Sequence, residues 1–182
     1  MKAAEPARIV FLDRGTMPAD ISFRPFAFPH ELLEFGATKP DQVAERIASA
    51  DIIITNKAPI RLPELMSAPK LRLIAIAATG SDVVDIEACA DRGVAVSNIR
   101  GYAVNTVPEH TFALILALRR SLTAYRDSVR AGRWAETGQF CYFDHPINDL
   151  SAATLGIIGD GALGRAVADI GRAFGMRTLF SS

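Results

Sequence analysis

Short apolar runs recur along the chain, with polar or glycine-containing stretches between them. The first run spans residues 9–12 and is followed by Asp13, Arg14 and Gly15. Apolar runs of this length, without polar alternation, are typical of strands that are buried on both faces of a parallel sheet. The same pattern predicts further strands at residues 51–55, 73–78, 94–97, 154–158 and 178–180.

Helical patterns lie between several of these strands. In residues 41–49 the apolar side chains recur on one side of a helix. A second helix over residues 85–91 is predicted to end near Gly93, because glycine is preferred just after the last helical residue. Residues 60–66 predict a short helix, whereas residues 31–35 fit either a strand or a helix. The alternation of strand and helix predicts an α/β fold with a doubly wound parallel sheet.

The longest helical pattern begins at Thr106. Residues 106–109 read Thr-Val-Pro-Glu, which fits a capping box with proline in the first turn. Residues 112–118 are then apolar without a break, and the pattern becomes amphipathic up to Gly132. A helix with so little polar circumference must be buried. We therefore expect a homodimer in which the 106–131 helix region packs against a second copy of the chain.

Composition and charge narrow the classes of function. The chain has 182 residues, 49% of them hydrophobic, and its 20 basic and 20 acidic side chains cancel. This composition is too apolar for a disordered chain, and the neutral balance argues against nucleic acid or an anionic membrane as a partner. No apolar run is long enough to span a bilayer, so we expect a cytoplasmic protein. The two cysteines, Cys89 and Cys141, are not spaced like metal ligands, and no metal site is predicted.

The most informative motif is a G-x-G-x-x-G sequence over residues 159–164, directly after an apolar strand and before a helical pattern. Gly159 permits the tight turn, Gly161 lets the backbone approach a pyrophosphate, and Gly164 lets the helix pack against the strand. The first turn of the helix offers free amides to the phosphates. A purely structural glycine turn is the alternative, but the flanking strand and helix favour a dinucleotide site.

The position that distinguishes the two nicotinamide cofactors falls at the end of the sequence. In dinucleotide-binding folds, an acidic residue about 20 positions after the glycine motif binds the adenosine ribose. Here that position is Ser182. A serine does not bind the ribose diol as a carboxylate does, and it does not repel a 2′-phosphate. NAD and NADP both remain open.

Four further segments accompany the glycine motif, at residues 9–14, 54–60, 77–85 and 96–110. In this order, the five segments resemble those of the D-isomer-specific 2-hydroxyacid dehydrogenases, and the glycerate dehydrogenases, also called hydroxypyruvate reductases, are the most similar branch. The resemblance implies an NAD(P)-dependent oxidoreductase. It would interconvert a small 2-oxo acid and its D-2-hydroxy acid, with hydroxypyruvate and D-glycerate as the favoured pair.

The resemblance also implies a division of the chain into two domains. Residues 1–100 would form a flavodoxin-like substrate-binding domain. Residues 101–182 would form the first βαβ unit of a Rossmann dinucleotide-binding domain, together with the long dimerisation helix. A complete dinucleotide fold has about six strands, so this second domain would be incomplete.

Individual site residues follow from the same resemblance. Backbone amides near Thr79 and Gly80 would hold the substrate carboxylate, and Asn56 and Lys57 would face the same cleft. Thr79 would also lie near the nicotinamide. The remaining cofactor-binding residues implied by the family pattern are Gly159, Gly161, Ala162, Leu163, Gly164 and Ser182. Asp160 and Ala162 depart from the pattern, because relatives often carry an apolar residue and an arginine there.

The family's catalytic arginine, glutamate and histidine fall beyond residue 182, so no catalytic residue is assigned in this sequence. Without these groups, the substrate carbonyl would lack a general acid, and its carboxylate would lack a guanidinium. We therefore expect the 182 residues to be part of a longer enzyme and to be inactive alone. The alternative is a non-catalytic, truncated nucleotide-binding or regulatory protein.

Overall fold

The computed structural model describes residues 5–181 and divides the chain into two compact units, with the boundary between Arg100 and Gly101. The first unit therefore comprises residues 5–100 and the second comprises residues 101–181. Within the described residues, no helix has both the length and the apolar character needed to cross a membrane.

The first unit is a five-stranded, fully parallel sheet with the strand order β2-β1-β3-β4-β5. This is the order of flavodoxin-like doubly wound folds, and the predicted α/β class is confirmed. The open choice at residues 31–35 is resolved as a strand. The strands are β1 (Ala7–Phe11), β2 (His30–Glu34), β3 (Ile52–Thr55), β4 (Leu73–Ile76) and β5 (Ala95–Asn98). The helices are α1 (Pro40–Ile47), α2 (Leu62–Ser67) and α3 (Ile86–Asp91).

The core of the first unit lies between one face of the sheet and these three helices. Side chains alternate along β3 and β4, so that Ile53 and Ile74 are fully buried against the helices. Val43 and Ile47, one turn apart on α1, bury the apolar side of that helix against the same cluster. On the opposite face, the connection from β1 to β2 supplies aromatic side chains, and the Phe23 ring lies 5.8 Å from that of Phe11.

The second unit combines helices with a two-stranded parallel sheet. Its hydrophobic cluster is formed by Phe112, Leu150 and Met176. The Phe112 ring stacks on that of Phe174, with 5.5 Å between the ring centroids. Its elements are α4 (Thr106–Arg119), α5 (Leu122–Arg130), α6 (Arg133–Thr137), β6 (Thr154–Ile158), α7 (Ala162–Ala173) and β7 (Arg177–Ser181).

The predicted start of the long helix at Thr106 is confirmed, but its predicted capping box and its continuity are wrong. The residue that precedes α4 is Asn105, and Thr106 is already helical. The Thr106 side chain is therefore one position too late to act as the cap of a capping box. The helix region is also interrupted, because Ser121 adopts a left-handed conformation (φ 47°) between α4 and α5.

The burial predicted for this helix involves a second copy of the chain as well as its own unit, and a single chain covers only part of the apolar run. Pro108 and Phe112 are buried, but Leu114 is 54% exposed and Leu118 is 80% exposed. The apolar run packs against its own unit on one side only. The sequence pattern identified the apolar surface correctly, but one copy of the chain does not cover it.

Candidate functional site

The predicted substrate-binding residues lie at the carboxyl edge of the five-stranded sheet. Asn56 and Lys57 directly follow β3, and Thr79 and Gly80 follow β4 after two intervening residues. These strands are neighbours, and the amide of Ala77 donates to the carbonyl oxygen of Thr55 at 2.8 Å. The two loops therefore begin side by side. This is the edge of open α/β sheets at which ligands bind.

The loop after β3 is organised by a residue to which the sequence analysis assigned no role. Asp13 follows β1, and its side chain is buried, with the residue 4% exposed. Its carboxylate accepts hydrogen bonds from the backbone amides of Asn56 at 2.9 Å, Lys57 at 2.5 Å and Ala58 at 2.9 Å. These contacts join segments that are more than forty positions apart in the sequence. No local sequence motif therefore predicts them.

The two side chains of the β3 loop differ in whether the protein holds them. The Asn56 amide donates to the hydroxyl of Thr16 at 3.0 Å, so this side chain is held by the loop after β1. Lys57 is exposed, and none of the ion pairs within residues 5–181 involves it. Its ammonium group is thus a free positive charge at the carboxyl edge.

The loop after β4 presents free backbone donors. Within residues 5–181, neither the amide of Thr79 nor that of Gly80 donates a hydrogen bond to the protein. The carbonyl oxygen of Thr79 accepts from the side-chain amide of Asn98, at the end of β5, over 2.7 Å. This bond fixes the orientation of the peptide between Thr79 and Gly80, since the carbonyl and the following amide lie in one plane. Asn98 is a second contributor that the sequence analysis missed.

The glycine motif forms a separate site in the second unit. Gly159 has a φ of 92°, which favours glycine, and its amide donates to the carbonyl oxygen of Ser181 at 2.7 Å. A Cβ at Gly164 would lie 2.2 Å from the carbonyl oxygen of Gly159 and 3.2 Å from Ile157 Cγ2. Glycine is therefore required at residue 164 for α7 to start this close to the turn.

The start of α7 fits a bound pyrophosphate. Gly161 is the residue that precedes the helix, and a Cβ added there would meet no described atom within 4 Å. The amides of Ala162 and Leu163 belong to the first helical turn, which has no preceding carbonyl groups within the helix to pair with. Helix starts of this kind favour anions through their free donors and the helix dipole. The predicted cofactor residue Ser182 lies outside the described residues.

The acidic side chain inside the glycine motif is paired. Arg165, on the first turn of α7, donates to the carbonyl oxygen of Asp160 at 2.6 Å, and its guanidinium lies 3.4 Å from the Asp160 carboxylate. The negative charge of Asp160 is thus offset by a neighbouring positive charge. Both side chains are well exposed, so solvent weakens this pair.

Comparison with known proteins identifies the family. The model of the D-isomer specific 2-hydroxyacid dehydrogenase catalytic domain matches residues 23–174. The chain belongs to this family.

Two of the proteins similar in sequence to this chain are named as a glycerate dehydrogenase and a hydroxypyruvate reductase. The chain is 50% identical to the glycerate dehydrogenase of Methylorubrum extorquens over 173 residues, which are 94% of this chain and 54% of that protein. It is 31% identical to the hydroxypyruvate reductase of Blautia hydrogenotrophica, with 94% and 55% covered. The chain therefore spans about half the length of the curated relatives it matches.

Solved structures, a dehydrogenase among them, share the fold. The D-lactate dehydrogenase of Aquifex aeolicus, complexed with NAD and lactic acid, superposes with a TM-score of 0.71 at 26% identity, covering 94% of this chain and 50% of that one. The TT0316 protein of Thermus thermophilus gives a TM-score of 0.75 at 25% identity, with 95% and 55% covered. Both comparisons support a shared α/β architecture over almost the whole described chain.

Proposed function

We propose that this chain supplies the substrate edge and the coenzyme turn of an NAD(P)-dependent oxidoreductase. The enzyme would interconvert a small 2-oxo acid and its D-2-hydroxy acid, with hydroxypyruvate and D-glycerate as the favoured pair. The observation that carries the proposal is the loop after β4, where the amides of Thr79 and Gly80 are free and the neighbouring loop after β3 carries the exposed Lys57. The proposal is also supported by membership of the dehydrogenase family and by 50% sequence identity to a glycerate dehydrogenase.

The substrate carboxylate would bind at the two free amides. Backbone N–H groups are strong donors to a carboxylate, and they need no change of protonation to act. Lys57 would add a long-range attraction for the anion, and Asn56 would line the same edge. All four residues belong to the first unit. Their proposed role is to bind and orient the substrate so that the reacting carbon is correctly placed.

The coenzyme pyrophosphate would bind at the start of α7. Gly159 and Gly164 shape the turn, Gly161 leaves room for the phosphates, and the amides of Ala162 and Leu163 would donate to them. When bound, the coenzyme supplies or accepts the hydride. In our proposal Thr79 lies near the nicotinamide and Ser182 near the adenosine ribose. The choice between NAD and NADP stays open.

We also propose that the enzyme is a homodimer formed through the 106–131 helix region. The support is the apolar surface of α4, where Leu114 and Leu118 remain largely exposed in a single chain. Exposed apolar side chains in adjacent turns of one helix are typical of a surface that a second protein covers. A second copy of the same helix would bury both leucines around a two-fold axis.

The experiment that tests the proposed reaction uses a chimera. Residues 1–182 are joined to the portion of the Methylorubrum extorquens glycerate dehydrogenase that the chain does not match. We expect oxidation of NADH or NADPH that depends on hydroxypyruvate. In this chimera, Lys57→Ala should raise the KM for hydroxypyruvate at least about tenfold, because an opposite charge at the anion is lost. Lys70→Ala is the matched control, since Lys70 is also an exposed lysine of the first unit but precedes β4.

The outcomes separate the two functional hypotheses. Turnover with a KM effect confined to Lys57→Ala supports the dehydrogenase. A folded chimera that binds a nicotinamide coenzyme but turns over no 2-oxo acid would instead support the non-catalytic nucleotide-binding alternative. Equal KM values for the Lys57 and Lys70 variants would remove Lys57 from the substrate site.

A further inference from the structure

Asp13 carries a buried negative charge that no cation balances within the described chain. None of the ion pairs among residues 5–181 includes it. The carboxylate is instead held by the three consecutive amides of residues 56–58 and lies 3.4 Å from the hydroxyl of Thr55. Burying a charge is costly unless hydrogen bonds compensate for it. These hydrogen bonds therefore fix the position of the Asp13 carboxylate and the conformation of the backbone at residues 56–58.

Three consecutive amides that converge on one point form a concave anion site. In this protein the occupant is the Asp13 side chain. The donors after β3 are consequently engaged, whereas those of Thr79 and Gly80, one strand away, are free. A carboxylate that reaches this edge of the sheet thus finds free backbone amides in the β4 loop, but not at residues 56–58, whose amides are engaged by Asp13. Asp13 excludes anions from one loop and leaves the neighbouring loop open.

The same segment also holds the Asn56 side chain. Thr16 lies three residues after Asp13, in the 3-10 turn Arg14–Thr16, and its hydroxyl accepts the hydrogen bond from the Asn56 amide. The Thr16 hydroxyl also donates to the carbonyl oxygen of Asp13 at 2.8 Å. The loop after β1 thereby fixes the orientation of the Asn56 side chain and the position of the Lys57 backbone.

We infer that Asp13, assisted by Thr16, is a positioning residue for substrate binding. It shapes the β3 loop so that Asn56 and Lys57 face the carboxyl edge, and it directs the substrate carboxylate to the β4 loop. This inference rests on the proposed function, because it takes Asn56, Lys57, Thr79 and Gly80 as the substrate-binding residues.

The test measures hydroxypyruvate binding to the chimera by heteronuclear NMR, following the backbone amide signals of Lys57, Thr79 and Gly80. Asp13→Asn keeps one acceptor oxygen but turns an NH₂ group toward amide donors. We expect its dissociation constant for hydroxypyruvate to rise at least about tenfold, because small displacements of binding groups cost that much or more. Its Lys57 amide signal should also move upfield, as the charge-assisted hydrogen bond is lost.

Asp51→Asn is the matched control. The Asp51 carboxylate also accepts from a backbone amide, that of Arg8 at 2.9 Å, but Asp51 precedes β3 and so lies at the opposite edge of the sheet. If the Asp13 carboxylate only stabilised the fold, both variants should lower stability and weaken hydroxypyruvate binding to a similar extent. We expect Asp51→Asn to bind hydroxypyruvate as the unmodified protein does, even where its urea midpoint falls.

Thr16→Val provides a second variant that retains the Asp13 carboxylate, for use if Asp13→Asn does not fold. It should weaken hydroxypyruvate binding about threefold, since one neutral hydrogen bond to Asn56 is removed. Unchanged affinity in Asp13→Asn, or in Thr16→Val where the first variant is unfolded, would overturn the positioning role and leave the substrate site intact. Failure of the unmodified protein to show any shift at Thr79 and Gly80 would overturn the proposed substrate site, and the positioning role with it.

Discussion

At the carboxyl edge of the five-stranded sheet, hydrogen bonds made by side chains fix the conformation of the loops. In the glycine turn, the conformation is possible because two residues have no side chain. Asp13 and Asn98 each bind the main chain of a neighbouring loop. Gly159 and Gly164 instead allow a conformation and a close approach that any Cβ would prevent. The comparison shows two ways of presenting free amides to an anion, and only the second leaves a sequence motif.

The two units also differ in how completely they are packed. The first unit buries a continuous cluster between sheet and helices, which includes Ile53 and Ile74. In the second unit the cluster described above is small, while Ile158 on β6 is 92% exposed and Phe140 is 88% exposed. Stability in the first unit therefore comes from its own core. The second unit leaves apolar surface that further protein would be needed to cover.

The largest effect is expected from truncating the core of the first unit. Ile74→Ala should lower the free energy of unfolding by about 2–5 kcal/mol, because the removed atoms leave a cavity in a fully buried site. Ile158→Ala, at the exposed end of β6, should change it by less than about 0.5 kcal/mol. Urea unfolding followed by circular dichroism measures both. Equal losses in the two variants would contradict the difference in packing between the units.

Two glycine substitutions separate folding from binding within the coenzyme turn. Gly164→Ala should destabilise the protein by about 1–3 kcal/mol, because the new Cβ would overlap the carbonyl oxygen of Gly159. Gly161→Ala has room for its Cβ and should keep the wild-type urea midpoint. Its methyl group would nevertheless occupy the approach of the pyrophosphate, so NADH binding should weaken at least about tenfold. Calorimetry on the chimera tests this, and wild-type affinity in Gly161→Ala would argue for a structural glycine turn.

A charge on α4 tests whether the exposed apolar surface of the second unit is an interface. Leu118→Glu should raise the dimer dissociation constant at least about tenfold, equivalent to 1.4 kcal/mol, because a carboxylate would be buried against a second copy. Leu62→Glu is the control, since Leu62 is 50% exposed but lies in the first unit. Sedimentation equilibrium measures the constant. A monomeric unmodified chimera would exclude the proposed interface.

The smallest effect concerns an exposed ion pair of the second unit. Arg133 donates to the Asp144 carboxylate at 2.6 Å, and this hydrogen bond holds the pKa of Asp144 below its ordinary 3.8. A carboxyl group whose pKa is lowered on folding stabilises the protein above that ordinary value, and the contribution is lost as the pH falls through the folded pKa. Asp144→Asn should therefore lower the urea midpoint slightly at neutral pH and not at all well below pH 3.8. Fluorescence of the neighbouring Trp134 follows the transition, and a pH-independent difference would exclude the ion pair as its cause.

The sequence predicted most of the regular structure because its signals are local. Apolar runs located the strands, and Gly93 and Gly132 marked the ends of helical patterns. The segment at 31–35 could not be assigned from its sequence, since so short a run fits both periods. The interruption at Ser121 was missed because no proline or glycine marks it. A serine in the left-handed conformation separates the two helices there.

The candidate site was predicted unevenly for the same reason. The glycine turn is a contiguous motif whose conformation follows from its residue types. The role of Asp13 depends on amides 43 to 45 positions away, and an aspartate after a strand is otherwise an ordinary loop residue. Asn98 is similar, since its partner Thr79 lies on another loop. The apolar character of α4 was correctly recognised, but periodicity does not reveal which molecule covers a surface.

Coenzyme binding to the chimera is the decisive measurement, because the proposed reaction requires NADH or NADPH at the glycine turn. We predict that one of these coenzymes binds with a dissociation constant below about one millimolar and that Gly161→Ala weakens this binding without unfolding the protein. A folded chimera that takes up neither coenzyme at roughly millimolar concentration would overturn the proposed function.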